Sequence, residues 1–391
     1  MSQRKKIALV GAGNIGGELA ALAARQELGD VWLFDIPEKL GLAQGKALDL
    51  EQNGAVLGYD AAIRGTADWD DLAGSDVVIV TAGIPRKPGM SRDDLLSVNL
   101  KIIRSVAGNL RTRCPNAFVI VVSNPLDAMV YAMKEVTGFP PERVVGMAGV
   151  LDSARLQLFL AQAAGVAVKD VRAMVLGGHG DTMVPVPSYC TINGIPVRQL
   201  VSADKLTAIF ERTRNGGAEV VKLMGTSAYY APAASAIQMA RAFLHDEKRL
   251  IPCAAFLRGE YGYQDLYIGV PVILGGSGVE KVVEIALEPG EKQMLDNSAK
   301  AVRELIEASK RLLVCRNAVA DLPASPGPEA IIRALGSPIV HSCRTPRARR
   351  TRGRAPISRR TSFSLVARAR YGGHGQRAHS PRSVDGSPGF T

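Results

Sequence analysis

Six residues, Gly11-Ala12-Gly13-Asn14-Ile15-Gly16, narrow the folds open to this 391-residue chain more than any other stretch. They follow the β-branched run Lys6–Val10 at once and open a helical pattern over Ile15–Gln26. A buried strand that turns on glycines straight into a helix is the first unit of a doubly wound α/β fold. Gly11 allows the tight turn, Gly13 lets backbone approach a pyrophosphate, and Gly16 lets the helix pack closely on the strand. The helix start then offers free N–H groups and its positive dipole end to phosphate oxygens. Asp35 follows Gly16 by 19 residues, at the end of the second strand. A carboxylate there grips a ribose diol and repels a 2′-phosphate, so NAD is expected rather than NADP. A strand–turn–helix without any ligand is the alternative.

The rest of the first half repeats this grammar. Val31–Phe34, Ala62–Arg64, Val77–Val80 and Phe118–Val122 read as strands, with helical patterns at Leu40–Gln52, Asp93–Leu110 and Asp127–Val136. Strands without polar alternation are buried on both faces, which means a parallel sheet covered by helices. Residues 1–148 are therefore expected to form a Rossmann-type α/β domain. From Gly149 the pattern changes to helices at Asp152–Ala164, Ala203–Leu223 and Pro232–Leu244, with strands at Val171–Leu176, Val184–Ile192, Ile251–Leu257, Leu266–Leu274 and Val279–Ala286. A closing helix, Pro289–Leu313, completes a second, α+β domain over residues 149–313. Residues 314–391 are rich in Arg, Pro, Ser and Gly and read as a disordered tail that cannot bury enough apolar area to offset chain entropy.

Charge divides along the same line. The last 78 residues carry 14 Arg, no Lys and only three acids, which accounts for the whole net charge of +11. The first 313 residues balance 34 basic against 34 acidic groups, so the body has no electrostatic reason to seek nucleic acid or anionic lipid. The Arg-only composition of the tail is that of a GC-rich gene translated in a wrong frame; a genuine basic extension that binds nucleic acid is the alternative. No apolar run reaches the ~18 residues of a membrane span. The basic start, Met1–Lys6, runs into glycines rather than a long apolar segment, so no signal peptide is expected. Five scattered cysteines with no CxxC argue against a disulfide scaffold or a metal site and for a reducing cytoplasm.

Acid–base candidates are few. The body has two histidines: His245 in a polar helix end, and His179 in Gly177-Gly178-His179-Gly180-Asp181, directly after an apolar strand. Small neighbours leave the His179 ring approachable, for catalysis or as a structural turn residue. Asp152 and Arg155, three apart at a helix start, share one face. Asp152 could orient an imidazole and Arg155 could grip a carboxylate with two parallel hydrogen bonds; a plain surface ion pair is the other reading. The loop after the fourth strand, residues 82–92, carries Arg86 and Arg92 among glycines and prolines, and can close over an anion at the end of the sheet where such folds bind ligands. Ser123-Asn124-Pro125 ends the fifth strand toward the same crevice.

Together GAGNIG, Asp35, AGIPRKPGMSR, VVSNP, LDSAR and GGHGD, in that order, make the chain resemble the NAD-dependent lactate/malate dehydrogenase superfamily, most closely L-malate dehydrogenases of the lactate-dehydrogenase-like type. The resemblance runs from Lys6 to Leu313. It implies that His179 accepts a proton, that Asp152 is its carboxylate partner, and that Arg155 clamps the carboxylate of a 2-hydroxy acid. It further implies that Arg92 polarises the reacting carbonyl, that Asn124 contacts substrate and cofactor, and that Asn99 and Val122 line the nicotinamide side. Gly11, Ala12, Gly13, Asn14, Ile15, Gly16, Asp35 and Ser123 complete the implied cofactor site. A homo-oligomer and a place in the tricarboxylic acid cycle follow from the same resemblance. Arg86 stands where the family separates its two substrates. A guanidinium pairs with the second carboxylate of malate, whereas over the methyl of lactate it would be an uncompensated charge. The reading is reversible oxidation of (S)-malate to oxaloacetate with NAD; lactate specificity is the runner-up.

Overall fold

Six short strands, most of them apolar runs without polar alternation, assemble in the computed structural model as a parallel sheet. The structure describes residues 4–85 and 91–320. The first half runs β1 (Lys6–Val10), α1 (Asn14–Arg25), β2 (Asp30–Phe34), α2 (Leu40–Leu57), β3 (Ile63–Thr66), β4 (Val77–Val80), α3 (Arg92–Arg113), β5 (Phe118–Val121), α4 (Leu126–Thr137) and β6 (Val144–Gly146). In space the parallel strands lie β3-β2-β1-β4-β5-β6, the doubly wound order whose switch point falls between β1 and β4. Ile7, Leu9, Val77–Val80 and Phe118–Val121 are sealed inside it, as strands covered on both faces must be. The short strand β6 was missed by the sequence pattern: three residues hidden between two loops carry no periodicity to read.

The second half continues as α5 (Gly149–Ala164), β7 (Val171–Arg172), β8 (Val175–Leu176), β9 (Val184–Pro185), β10 (Thr191–Ile192), β11 (Ile195–Pro196), α6 (Val197–Leu200), α7 (Ala203–Met224), α8 (Tyr230–Leu244), β12 (Arg249–Arg258), β13 (Gln264–Gly275), β14 (Gly278–Val282) and α9 (Pro289–Ala320). A small core of its own, built on Leu156, Phe159, Leu160, Val175, Cys190 and Leu206, holds α5 and α7 over the short strands. The long hairpin β12–β13–β14 does not form a separate sheet. Ala254 of β12 pairs antiparallel with Gly146 of β6, so one nine-stranded sheet crosses the expected boundary at 148/149. The alanine-rich faces of α1 (Ala20, Ala23, Ala24) and α8 (Ala233, Ala236, Ala240) are buried, and the two helices pack together across the same boundary.

Helix ends explain two further differences. A capping box starts α3: Ser91 Oγ accepts from the Asp94 N–H at 3.0 Å while the Asp94 carboxylate accepts from the Ser91 N–H at 3.2 Å. The helix therefore opens at Arg92, one residue earlier than the pattern predicts. Helix α9, expected to end at Leu313, runs on to Ala320, because no glycine or proline interrupts it before Pro323. Residues 321–391, most of the expected tail, lie outside the described residues, as do Arg86 and the side chain of Arg92.

Candidate active site

The crevice at the carboxyl ends of β1, β2, β4 and β5 gathers most of the residues singled out by sequence. The turn after β1 needs glycine at two positions. Gly11 has φ +118°, and a Cβ on Gly16 would stand 1.9 Å from the carbonyl oxygen of Gly11. Around Gly13 there is open space within 4 Å, which is room for a phosphate rather than for packing. Gly13 caps α1 without any side-chain hydrogen bond, so the first N–H groups of the helix, from Asn14 and Ile15 on, are available to a ligand. Asp35 stands beside this turn, where its two carboxylate oxygens accept from the N–H groups of Ala12 and Ile36, each at 2.9 Å. Its remaining lone pairs suit a ribose diol.

Lys46, a residue that the motifs did not point to, braces the turn from α2. Its ammonium donates to the carbonyl oxygens of Ala12 at 2.9 Å and Gly13 at 2.7 Å. Burial lowers its pKa, and the nearby Asp35 carboxylate opposes that shift. The Ala12 N–H is held by Asp35 and the Gly11 N–H by the Phe34 carbonyl, so it is the N–H groups of Asn14 and Ile15 that are left to face the phosphate side. These groups fit a dinucleotide.

Asn99 and Ser123 hold the loops that rim the crevice. The Asn99 side chain is 1% exposed; its Oδ1 accepts from the Ile84 N–H at 2.9 Å, and its Nδ2 donates to the carbonyls of Ile84 and Asn124 at 3.1 and 2.7 Å. It ties the start of the Arg-bearing loop to the Asn124 turn instead of presenting its amide to the crevice. Ser123 Oγ likewise donates to the Ala82 carbonyl at 2.6 Å, and Val122 is buried beside it. Asn124 itself is exposed.

The chemistry centres on one carboxylate. Asp152, in the first turn of α5 and 2% exposed, accepts from His179 Nδ1–H with one oxygen and from Arg155 Nη1–H with the other, both at 2.9 Å. The His179 tautomer follows, because a carboxylate can only accept there: the Nδ1 proton is held by Asp152 and Nε2 is left to take up a proton. Burial alone would lower the His179 pKa. The Asp152 carboxylate and its hydrogen bond, with Asp127 behind, outweigh that and hold the imidazole above its ordinary value, while Arg155 opposes them. The glycines of α7 seat Arg155. A Cβ on Gly216 would come within 3.0 Å of Arg155 Cδ, so the guanidinium arm lies directly on that bare stretch of helix.

Three more groups lock the His179 turn and were not legible as motifs. Ser298 Oγ, from α9, accepts from the Gly178 N–H at 2.8 Å and bonds to Thr182 Oγ1 at 3.2 Å. Asp127, in the first turn of α4, accepts from the His179 N–H at 3.0 Å. Each contact spans 50 or more residues of sequence, or comes from a residue with no motif around it, so spacing could not reveal them. A cavity of about 660 Å³ lined by Lys5, Asp76, Arg113, Cys114, Phe243 and Asp246 lies toward the opposite ends of the strands and contains none of these groups.

Known proteins resemble the chain that carries this site. Residues 5–146 match the NAD-binding domain of lactate/malate dehydrogenases, and residues 149–312 match the α/β C-terminal domain of the same family. A malate dehydrogenase of Sorangium cellulosum is 68% identical over 310 residues, which is 79% of this chain and 99% of that protein. The crystal structure of Cryptosporidium parvum malate dehydrogenase superposes with a TM-score of 0.77 at 47% identity, covering 79% of this chain and all of the other. The lactate dehydrogenase of the same organism, solved with lactic acid and nicotinamide adenine dinucleotide, superposes with a TM-score of 0.76 at 44% identity over 79% of this chain and 99% of its own.

Proposed function

The chain belongs to the lactate/malate dehydrogenase family, and on that premise we propose that its crevice oxidises (S)-malate reversibly to oxaloacetate with NAD, His179 acting as the general base. The observation that carries the reading is the single buried Asp152 carboxylate holding both His179 and Arg155. NAD, when bound, supplies the hydride acceptor. The glycine turn and Asp35 hold its pyrophosphate and ribose, with Lys46 keeping the turn in shape. His179 Nε2 takes the hydroxyl proton of malate, and Asp152 stabilises the imidazolium so formed. Arg155 clamps the carboxylate next to the reacting carbon, Arg92 polarises the carbonyl, and Asn124 orients both partners. Asn99, Val122 and Ser123 keep the nicotinamide side of the crevice in place.

Similarity of fold alone does not separate malate from lactate, since dehydrogenases for both superpose almost equally well. The 68% identity to a bacterial malate dehydrogenase and the charge of Arg86 favour the dicarboxylate. Steady-state reduction of oxaloacetate and pyruvate with NADH tests this: oxaloacetate is the preferred substrate. In Arg86→Gln the distal carboxylate loses its partner, a loss of ~2–5 kcal/mol, and the oxaloacetate-to-pyruvate ratio of kcat/KM falls roughly 30-fold or more. A general loss at a constant ratio would remove Arg86 from substrate selection.

A second copy of the chain is the expected partner. Leu42, Leu48, Val56 and Leu57 are exposed apolar side chains on α2, which supports an oligomer. No helix among the described residues is long and apolar enough to cross a membrane. A cytoplasmic location is supported by Cys114, Cys190 and Cys253, all buried free thiols.

A further inference from the structure

We propose that Asp127 is a positioning residue for the general base: its carboxylate fixes the backbone of His179 and sets a second negative charge beside the imidazole. This rests on the reading of His179 as that base. Asp127 is 3% exposed, and its Oδ2 accepts from the His179 N–H at 3.0 Å. Space around that contact is tight, since a Cβ on Gly178 would come within 3.3 Å of the same oxygen. Oδ1 is buried and has no hydrogen-bond partner among the described residues. Holding one backbone N–H requires only a hydroxyl or an amide oxygen. A carboxylate with one oxygen unpaired is the costly way to do it, so the charge is what the site gains.

The charge balance around His179 shows why. Among the described residues, the ionisable groups that act most on the imidazole are Asp152 and Arg155 from α5 and Asp127 from α4. Asp152, though paired with Arg155 at 2.9 Å, remains the largest of these influences holding the imidazolium; Arg155 opposes it and Asp127 adds a second negative charge. An imidazolium formed during malate oxidation therefore leans first on Asp152, and Asp127 supplies a second counter-charge against the opposing Arg155. Asp127 also lies three residues after Asn124, at the N-terminal end of α4, so one short segment positions both the substrate-side amide and the base. Burial pushes the Asp127 carboxyl up to about 6, with His179 pulling the other way, which leaves it ionised over the range where the imidazole titrates.

The test is the pH dependence of kcat/KM for malate in the full chain with NAD. Asp127→Asn keeps an oxygen for the His179 N–H and removes the charge. The imidazolium loses stabilisation, neutral His179 persists to lower pH, and the acid limb moves down by about one unit, the lower end of what a neighbouring charge does. In the same variant the alkaline loss of oxaloacetate reduction moves down with it. A lower plateau with an unmoved midpoint would mean that Asp127 is only a structural acceptor, and the proposal fails. If Asp127→Asn does not fold, the wild type still decides. In protein labelled with ¹³C at the aspartate side-chain carboxyls, a buried carboxylate resonance shifts as His179 titrates; an Asp127 carboxyl that stays protonated through that range would overturn the assignment. Failure of the general-base reading looks different, because His179→Asn would then keep near-wild-type turnover.

Discussion

At the scale of single residues, one carboxylate serves two partners. Because Asp152 orients His179 and Arg155 together, its loss should harm proton transfer and substrate grip at once, whereas loss of His179 should harm only the first. His179→Asn is expected to cut turnover by roughly 10²–10⁴-fold and to leave NADH affinity, read by fluorescence titration, nearly unchanged. Turnover near that of the wild type would make His179 a structural turn residue. The direction of its pKa shift fixes the pH behaviour. Malate oxidation needs the neutral imidazole, so its kcat/KM should climb with pH through a midpoint above the ordinary ~6.5 of histidine, while oxaloacetate reduction falls through the same midpoint. A midpoint below that value would contradict the charge arrangement around the ring. Asp35 carries the cofactor argument in the same way. Asp35→Ser removes both the diol acceptor and the repulsion of a 2′-phosphate, so NAD should bind more weakly and the preference over NADP should shrink; an unchanged preference would clear Asp35 of the role.

At the scale of elements, what was legible in the sequence is what local pattern encodes. β1, β4 and the turn between β1 and α1 stand where hydrophobic runs and glycines put them, because both depend on neighbouring residues. Asp127, Lys46 and Ser298 escaped because their partners lie 52, 34 or 33, and 120 residues away. Strand β6 and the joining of β12 to it escaped for the same reason: a three-residue strand is defined by its neighbours in the sheet, not by its own period. Helix α7 shows the converse case, a visible anomaly without a visible purpose. Asn215-Gly216-Gly217 in mid-helix should weaken it by up to ~1 kcal/mol per glycine, and only the structure reveals Arg155 lying against Gly216. Gly216→Ala should therefore leave the melting temperature equal or higher while displacing the guanidinium. KM for oxaloacetate and malate should rise roughly tenfold, given how steeply catalysis depends on sub-ångström placement. An unchanged KM in a folded variant would show that α7 does not set the Arg155 position.

At the scale of the whole molecule, the shared sheet and the shared helix packing bind the two halves of the crevice wall into one frame, with β12 extending the edge at β6 and α8 covering α1. Every group assigned to the chemistry lies between Gly11 and Ser298, and the family match ends at residue 312. Charge follows a different division. A chain ending at Ala320 keeps 35 basic against 34 acidic residues, so its net charge falls from +11 to +1. If catalysis belongs to the frame and basicity to the remainder, cutting after Ala320 separates them. The shortened chain should reduce oxaloacetate with kcat/KM and Tm unchanged, while any binding of the full chain to DNA at low salt, steeply weakened by added salt, disappears. Lost activity would place residues 321–391 in the working fold. Salt-dependent DNA binding that survives the cut would be just as informative, because a frame with balanced charge could then hold nucleic acid only through a local basic patch, contrary to the charge distribution from which its function was argued.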